Sequence, residues 1–360
     1  MPLLMPETTT EPLSFTCPAP IAQRGQIVLG HGSGGRLSAE LLHDVFLPLF
    51  SNPVLDRMDD QAIVDIGGAR VAFTTDSFVV QPLFFPGGDI GSLAVHGTVN
   101  DLAMGGAKPL FLSAGFILEE GFSTETLRRI ALSMAEAAAA AGVSIVTGDT
   151  KVVERGKGDG VFINTTGIGI VPEGVRLSAS QARPGDRVIL SGSIGDHGIA
   201  ILAKREGLEF ETEILSDSAA LHNLVAAMLA ACSGTNAIRC LRDPTRGGVS
   251  SSLNEIAAQS GVSIQIEERC IPVRDEVKGA CELLGLDPLY VANEGKLLAI
   301  VAPEAADEIV NAMRRDARGA EAAIIGTVGA ELAGLVTMRT AFGSTRIVDM
   351  LAGEQLPRIC

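Results

Sequence analysis

Six aspartates stand in short motifs of the 360-residue sequence, several of them at the ends of apolar runs that are typical of β-strands. A fold can gather such strand ends into one cleft, where carboxylates repel one another unless a hard cation such as Mg²⁺ binds between them. The pattern suggests a magnesium-nucleotide site, although any single aspartate is more often a turn or helix-cap residue. The six are Asp59 and Asp60, Asp76 in Thr-Thr-Asp-Ser, Asp101 after Asn100, Asp149 in Gly-Asp-Thr-Lys, and Asp243 in Asp-Pro-Thr-Arg-Gly-Gly.

A glycine-rich segment, Gly30-His31-Gly32-Ser33-Gly34-Gly35, follows an apolar run. Glycines allow backbone N–H groups to converge on an anion without side-chain clashes, so the segment is predicted either to cradle phosphates, with His31 in contact, or to be a flexible linker. It matches neither a Walker A loop nor the GxGxxG fingerprint. The segment 192–198 leaves a similar choice, between an anion nest at a helix start and close helix–strand packing.

The last residue of the sequence is Cys360, one of 6 cysteines. A thiol on a flexible end can enter an active site as a tethered substrate, whereas a buried cysteine behaves as a small inert apolar residue. Lys151, two residues after Asp149, and Glu294 in Ala-Asn-Glu-Gly-Lys are candidates for handling charge and protons near a transferred phosphoryl group. Either residue alone is more often a solvated surface residue.

The composition disfavours several classes of protein. The chain has 28 basic and 43 acidic residues, a net charge of −15, no Trp and one Tyr, whereas nucleic-acid binding needs clustered Lys and Arg or stacking aromatics. The cysteines form no CxxC and no metal-type Cys/His pairing, so we expect reduced thiols in the cytoplasm. The sequence contains neither an apolar run long enough to cross a membrane nor a signal-peptide pattern in residues 1–23.

Strand and helix patterns must position these motifs. Apolar runs predict strands over 62–66 and 71–75, an Ala-rich helix over 124–141 that ends at Gly142, and a strand over 143–146. Two further short strands, over 162–166 and 168–171, are predicted to complete this half. A second unit is predicted to begin with a strand over 187–190, followed by the glycine-containing turn at 192–198 and a helix.

The chain exceeds the length at which one hydrophobic core usually stops growing, so two domains are expected. We predict a disordered extension over 1–25, to which no role for Cys17 is assigned, and an N-terminal domain over 26–172. A C-terminal α/β domain over 173–345 and a mobile tail over 346–360, which carries Cys360, complete the predicted organisation.

Together the motifs resemble those of the HypE family of [NiFe]-hydrogenase maturation proteins, within the superfamily of aminoimidazole ribonucleotide synthetase and selenophosphate synthetase. The Asn100-Asp101 and Asp149-Thr150-Lys151 motifs are specific to the superfamily, and the ending Pro357-Arg358-Ile359-Cys360 selects HypE. The match runs from about residue 27 to the end of the sequence.

The resemblance implies a two-domain α/β (α+β) fold in which the N-terminal strands pair across a homodimer and ATP and Mg²⁺ bind near the interface. It implies that Cys360 receives a carbamoyl group from HypF, that ATP drives dehydration of this group to a thiocyanate, and that the cyanide passes to iron on a HypC–HypD complex. In this scheme Glu294 is the base toward the amide nitrogen and Lys151 supports the oxygen or phosphate. The segment Gly30–Gly35, Asn100 and Asp243 bind the nucleotide, and the metal ligands, direct or through water, are Asp59, Asp60, Asp76, Asp101 and Asp149.

Two other functions compete with this one. A selenophosphate synthetase or a small-molecule kinase of the same superfamily would act on a free substrate and need no terminal thiol. A selenophosphate synthetase is also expected to have a reactive Cys or selenocysteine and a Lys in its N-terminal segment, and the residues before Ile27 include Cys17 but no Lys. A non-enzymatic carrier would deliver a group held on Cys360 and use nucleotide only as a conformational signal.

Overall fold

The computed structural model describes residues 26–208, 210–232, 236–353, 356 and 358–360. The predicted extension over 1–25, with Cys17, lies outside the described residues. No helix in the described part of the chain is long and apolar enough to cross a membrane.

The first half of the chain builds a five-stranded sheet with two helices on one face. Its strand order is β1-β2-β7-β5-β6, and β5 and β6 run parallel while the other neighbours are antiparallel. The strands are β1 (Ala62–Ile66), β2 (Ala69–Phe78), the short pair β3 (Phe84–Phe85) and β4 (Gly88–Asp89), β5 (Lys108–Glu119), β6 (Ser144–Val153) and β7 (Val161–Ile170). The helices are α1 (Arg36–Leu41), α2 (Leu47–Phe50), α3 (Ile90–Met104) and α4 (Thr124–Ala141), with a π-helical turn at Leu42–Phe46.

The Ala-rich helix α4 has the predicted bounds. The Ser123 side chain accepts a hydrogen bond from the Thr126 N–H at its start, and Gly142 ends it with a φ of 67°, a left-handed conformation that glycine adopts without strain. Ile130, Met134 and Ala138 recur on its buried face. That spacing of four residues places them along one stripe, which packs toward the sheet and α3.

The prediction of two short strands at 162–166 and 168–171 is wrong, because β7 is one continuous strand from Val161 to Ile170. The glycine between them, Gly167, does not break the strand. A Cβ at this position would stand 2.8 Å from the side chains of both Thr98 and Leu102. Gly167 therefore allows α3 to lie directly on β7. In the sequence alone, a glycine required for such close packing cannot be distinguished from a glycine in a turn.

The second half of the chain builds a seven-stranded sheet in the order β14-β13-β10-β12-β8-β11-β9, with apolar cores on both faces. Only β10 and β13 among these paired strands are parallel. The strands are β8 (Arg187–Leu190), β9 (Ile238–Arg242), β10 (Ser263–Glu267), β11 (Leu298–Val301), β12 (Ala323–Gly329), β13 (Val336–Arg339) and β14 (Thr345–Ile347). The helices are α5 (Asp196–Glu206), α6 (His222–Ala231), α7 (Gly248–Ser260), α8 (Asp275–Leu284) and α9 (Ala306–Met313).

Helix α3 joins the two halves. The Asp89 side chain caps its start by accepting from the N–H groups of Gly91 and Ser92, and most of its residues are buried. Its last turn, with Ala103 and Met104, belongs to a core formed mainly by residues of the second half. The helix therefore fixes the position of the first sheet against the second, and the cleft between them lies along its middle turns.

Candidate functional site

A cavity of about 280 Å³ lies between the two halves and is lined mainly by charged side chains. We call it the acidic cavity. Five of the carboxyl groups that line it come from separate elements: the loop before β1, β2, α3, the end of β9 and the segment before β11. The lining residues used below are Gly34, Asp60, Thr75, Asp76, Asp101, Arg242, Asp243, Arg246, Glu255, Glu294 and Cys360.

The edge of the first sheet positions two of these carboxylates. Strand β1 pairs with β2 only as far as Phe73, so the following residues of β2 border the cavity. Thr74 donates its hydroxyl to Asp101 of α3 at 2.8 Å, which fixes that carboxylate beside the strand. Asp76 lies two residues further along β2, on the same face as Thr74, since side chains alternate along a strand.

Burial and mutual repulsion raise the pKa values of the cavity carboxyls. Desolvation is the largest cause for Asp60, Asp76, Asp101, Asp243 and Glu294, and neighbouring carboxylates add to it for four of them. The pKa of Asp243 rises to about 6. A carboxyl cluster in this state gains stability when a cation enters it, because the cation favours the charged forms that burial disfavours.

Glu294 is the most enclosed of these acids. Its side chain is 3 % exposed, and its pKa is raised well above the ordinary value by burial and by Asp243, Asp76 and Asp217. Within the described residues its Oε1 atom is buried without a hydrogen-bond partner. A buried carboxyl oxygen that has no partner is costly, so this atom is suited to meet a group that enters the cavity.

Arg246 is a cavity residue to which the sequence analysis assigned no role, although it stands in the quoted motif Asp-Pro-Thr-Arg. The Cys360 thiol, when ionised, is the largest cause that raises its pKa; burial opposes the charge, and Asp76 favours it. It donates to the Gly32 carbonyl at 3.2 Å. A Cβ at Gly34 would stand 2.5 Å from Arg246, so this glycine is required for the close approach. A fixed guanidinium beside a glycine-rich turn is a suitable partner for phosphate.

The second arginine in the cavity, Arg242, already forms ion pairs with carboxylates. Its Nε lies 3.1 Å from Asp60, and it also pairs with Glu255. Burial opposes its charge, yet these carboxylates raise its pKa above the ordinary value. Its guanidinium therefore balances the cavity charge near Asp60, whereas Arg246 faces Cys360 and Asp76.

The glycine-rich segment lies beside the site, but only one of its residues lines the acidic cavity. Gly34 does so, while Gly32 and Ser33 border a neighbouring apolar cavity of about 130 Å³. The His31 ring Nδ1 lies 3.0 Å from the Val28 N–H and closes its own turn. A Cβ at Gly35 would stand 2.3 Å from the Leu351 carbonyl oxygen, so close packing explains that glycine.

Cys360 is docked inside the molecule. The residue is 9 % exposed, and its thiol lines both the acidic cavity and the apolar one. Burial is the largest cause that raises its pKa, to about 12, while Arg246 lowers it and Glu294 and Asp76 raise it. The docked thiol is therefore protonated at neutral pH and is a poor nucleophile.

The structure brings together only part of the predicted set. Asp149 and Lys151 contact each other on β6, with side chains 68% and 69% exposed. Strand β6 is separated from β2 by β7 and β5, so the two residues lie three strand spacings, roughly 14 Å, from the cavity edge of the same chain. Their roles stay predictions.

Two other predicted residues make structural contacts. Asp59 accepts from the Ser178 hydroxyl and the Ala179 N–H, both at 3.0 Å, and pairs with Arg57. The Asn100 amide donates to the main-chain oxygens of Ala219 and Glu294 and accepts from the Leu221 N–H. Asn100 thus holds the main chain of Glu294 in place rather than lining the cavity.

The donor set fits Mg²⁺ carried by a nucleotide better than a preformed metal centre. Among the described residues, no group of three His, Cys, Asp or Glu side chains is close enough to hold a metal ion. The carboxyls instead surround the cavity, so phosphate oxygens would have to complete the coordination of a hard cation. Asp60, Asp76, Asp101 and Asp243 are placed to hold it directly or through water.

Comparisons with known proteins decide the family. The models "AIR synthase related protein, N-terminal domain" and "AIR synthase related protein, C-terminal domain" match residues 58–171 and 183–337. Carbamoyl dehydratase HypE of Azotobacter vinelandii is 62% identical over 338 residues, which cover 94% of this chain and 98% of that protein. The chain belongs to the HypE family. The resemblance and the two-domain fold deduced from the motifs are thereby confirmed.

Solved structures of the family have the same fold. A HypE–HypF complex includes a chain 51% identical to this one, with a TM-score of 0.82, covering 86% of this chain and 99% of that one. A HypE in complex with ATP is 50% identical, with a TM-score of 0.78, covering 93% of this chain and 100% of that one. The predicted α/β architecture therefore agrees with structures of the family.

Proposed function

We propose that this chain uses ATP to dehydrate a carbamoyl group on Cys360 to a thiocyanate, which supplies the cyanide ligands of the iron in [NiFe] hydrogenases. The observation that carries the proposal is the position of Cys360. The thiol of Cys360 lies in a cavity with Arg246 and six carboxyl groups, where a phosphoryl group could be transferred to the group that the sulfur carries. The carbamoyl dehydratase named among its relatives and the ATP complex of HypE support the choice of reaction.

Dehydration changes two bonds of the carbamoyl carbon: the bond to oxygen breaks, and the bond to nitrogen becomes a triple bond. The carbamoyl oxygen attacks the γ-phosphorus of ATP and ADP leaves, so the C–O oxygen becomes part of a good leaving group. The C–O bond then breaks, phosphate departs, and the nitrogen forms the C≡N bond. Of the two N–H protons, one ends on the phosphate and the other is released, so that the products are thiocyanate, ADP, phosphate and one proton.

Glu294 is placed to accept that proton. It lines the same cavity as Cys360, and its raised pKa makes its carboxylate a stronger base than an exposed glutamate. Its Oε1 atom, which has no hydrogen-bond partner in the described part of the chain, can meet the carbamoyl nitrogen. Arg246 keeps its charge beside the thiol and can bind the oxygen on which negative charge develops. Bound Mg²⁺ would neutralise the phosphate charge during transfer.

The docked thiol implies that the tail has two positions. A protonated sulfur that is 9 % exposed cannot attack a carbamoyl donor held by another protein. We propose that the tail extends to receive the group from HypF, docks for dehydration, and extends again to pass cyanide to iron on a HypC–HypD complex. A HypE–HypF complex is known among the relatives, which supports the first step.

A homodimer would explain how Asp149 and Lys151, which are exposed on β6, could act at a cavity. The face of the first sheet opposite α3 and α4 exposes Phe73, Phe111 and Ile168, which form cross-strand neighbours, and β6 is an exposed edge strand. Uncovered apolar surface of this kind is typical of an interface. We propose that a second copy covers this face and brings its own Lys151 toward the carbamoyl oxygen or phosphate in the acidic cavity.

Measuring phosphate release from ATP distinguishes the proposed enzyme from a non-enzymatic carrier. We expect ATP hydrolysis only after Cys360 has been carbamoylated by HypF, and none in Cys360→Ala, which should still bind nucleotide. Cys270→Ala is the matched control, because Cys270 is exposed and does not line the acidic cavity. Nucleotide binding without phosphate release in the carbamoylated protein would instead favour a carrier, and release without any carbamoylation would favour a kinase-type enzyme that acts on a free substrate.

A further inference from the structure

A buried histidine of the second half reaches the docked tail. The Nε2 atom of His197, the second residue of α5, lies 2.9 Å from the carbonyl oxygen of Ile359, and Nδ1 lies 2.8 Å from the Ser216 hydroxyl. The ring is fully buried and meets Phe85 edge to face, with 5.7 Å between ring centroids. Ile359 directly precedes Cys360, so this bond holds the peptide next to the sulfur.

The Ile359 carbonyl oxygen can only accept a hydrogen bond, so it determines which ring nitrogen of His197 carries the proton, and Ser216 is a compatible partner for the other nitrogen. The Ser216 hydroxyl oxygen accepts from the Ser218 N–H at 3.1 Å, and its own hydrogen is then available for Nδ1 of His197. Burial lowers the pKa of the histidine, so the ring is neutral. In the neutral ring Nδ1 is the acceptor and Nε2–H donates to the Ile359 carbonyl.

The segment that contains Ser216 also holds the proposed base. The Asp217 carboxylate accepts from the Glu294 N–H at 3.0 Å and pairs with Lys296 at 3.0 Å. A Cβ on Gly295 would stand 1.7 Å from the Asp217 carbonyl oxygen, so the two segments are in direct contact. Adjacent residues, Ser216 and Asp217, therefore connect the docked tail to Glu294.

In the last described residues of the tail, 356 and 358–360, other hydrogen bonds are made by Arg358 and by the main chain of residues 79–81, which follow β2. Arg205 donates to the Arg358 carbonyl at 2.8 Å, and Arg358 pairs with Asp159. These contacts tether the tail two residues before the sulfur. The His197 bond is the one made by a buried side chain to the peptide that adjoins Cys360.

We propose that His197 is a positioning residue for the reaction of Cys360: its Nε2–H binds the Ile359 carbonyl and sets the carbamoylated sulfur against Glu294. The proposal rests on the proposed function and deepens it, because it says how the carbamoyl group on the chain's own tail is positioned beside the base. His197 lines neither the acidic cavity nor the apolar one, and it acts through the tail.

The test compares three variants. His197→Leu removes the donor at similar size, and His197→Gln keeps an N–H donor. His96→Gln is the matched control, since the His96 ring also binds a serine of the same segment, with Nδ1 2.9 Å from the Ser218 hydroxyl, and makes no hydrogen bond to the described residues of the tail. The first readout is the rate at which iodoacetamide alkylates Cys360, measured on the peptide released by cleavage after Glu354. The second is single-turnover dehydration of the carbamoylated protein.

We expect His197→Leu to speed alkylation and slow dehydration, each about tenfold, because a buried hydrogen bond to the tail is lost. His197→Gln should recover part of both effects, and His96→Gln should behave as the unchanged chain. Wild-type rates in His197→Leu would overturn the proposal. If that variant fails to fold, Ser216→Ala decides, since loss of the hydrogen bond that holds Nδ1 of the ring should also speed alkylation, and an unchanged rate would overturn the proposal. If the unchanged chain never dehydrates its carbamoyl group, the proposed function fails, while alkylation still tests the contact with His197.

Discussion

The backbone N–H of Val79 donates to the main-chain oxygen of Cys360 at 2.9 Å. Val79 directly follows β2, and two residues later the Gln81 N–H donates to the Arg358 carbonyl at 3.3 Å. The tail thus docks by strand-type hydrogen bonds beside the extension of β2. These bonds are independent of the identity of the side chains, so the sulfur can carry different groups while the backbone returns to the same place.

Alkaline pH should release the tail. The docked thiol has a pKa of about 12 against an ordinary value of 9.0, so ionisation opposes docking. The contribution of the neutral thiol is complete below about pH 9 and is lost as pH rises toward about 12. We expect tryptic cleavage after Arg358 to become faster relative to the Cys360→Ser variant between about pH 8 and about pH 10. Serine does not titrate in this range, so a constant ratio would contradict the predicted linkage.

Glu294→Gln should stop the reaction at the carbamoyl stage. Burial and neighbouring acids raise the pKa of Glu294, so a neutral amide of the same shape should preserve the fold. Loss of the base should slow dehydration by about 10²–10⁴-fold while carbamoylation by HypF continues. Single-turnover mass measurements of the tail would show the trapped adduct. Glu282→Gln, on the exposed side of α8, is the control, and equal rates in both variants would exclude Glu294 as the base.

Asp76→Asn should separate stability from nucleotide binding. Desolvation raises the pKa of the half-buried Asp76 carboxyl, so its charge opposes folding at neutral pH. Removing that charge should leave the free energy of unfolding equal or greater by roughly 1 kcal/mol, and should reduce the thermal shift that ATP with Mg²⁺ produces. Thermal unfolding with and without ligand measures both effects. Asp65→Asn, at an exposed position of β1, should change neither, and a full ligand shift in Asp76→Asn would exclude this carboxylate from the metal nucleotide site.

Mixed dimers test whether Lys151 acts in the neighbouring subunit. Lys151→Ala and Glu294→Gln should each be inactive alone. In a mixed dimer one site combines Glu294 of the first variant with Lys151 of the second, so activity should return if the lysine is supplied across the interface. If Lys151 serves its own chain, every site in the mixture lacks one residue and no activity returns. Sedimentation of Phe111→Asp, which places a charge on the uncovered sheet face, checks the interface itself.

The sequence predicted the elements whose ends carry clear chemical signals. Helix α4, with a serine cap and a terminal glycine, and strand β8 after a Pro-Gly turn have the predicted bounds. The error at β7 arose because Gly167 serves close helix packing, which depends on a partner distant in sequence. The same limit applies to glycines of the predicted phosphate segment, where Gly34 and Gly35 accommodate Arg246 and Leu351.

The prediction of the site was incomplete for a similar reason. Residue type and motif identified Asp76, Asp101, Asp243, Glu294 and Cys360, which share one cavity. Arg246 was overlooked although it stands in a quoted motif, because a lone arginine has no signature until its neighbours are known. The sequence also could not indicate that Lys151 lies on an exposed edge strand or that His197 meets the tail, since both facts depend on strand order and on where the tail docks.

Intact-mass measurement of the chain during one turnover tests the central claim most directly. The protein is treated with HypF, carbamoyl phosphate and ATP, and the C-terminal peptide is then isolated. We expect one carbamoyl group to appear on Cys360 and this adduct to lose one molecule of water only when ATP is present. A carbamoyl adduct that persists with ATP, or a dehydrated product that forms in Cys360→Ala, would contradict the conversion of the chain's own sulfur-bound group.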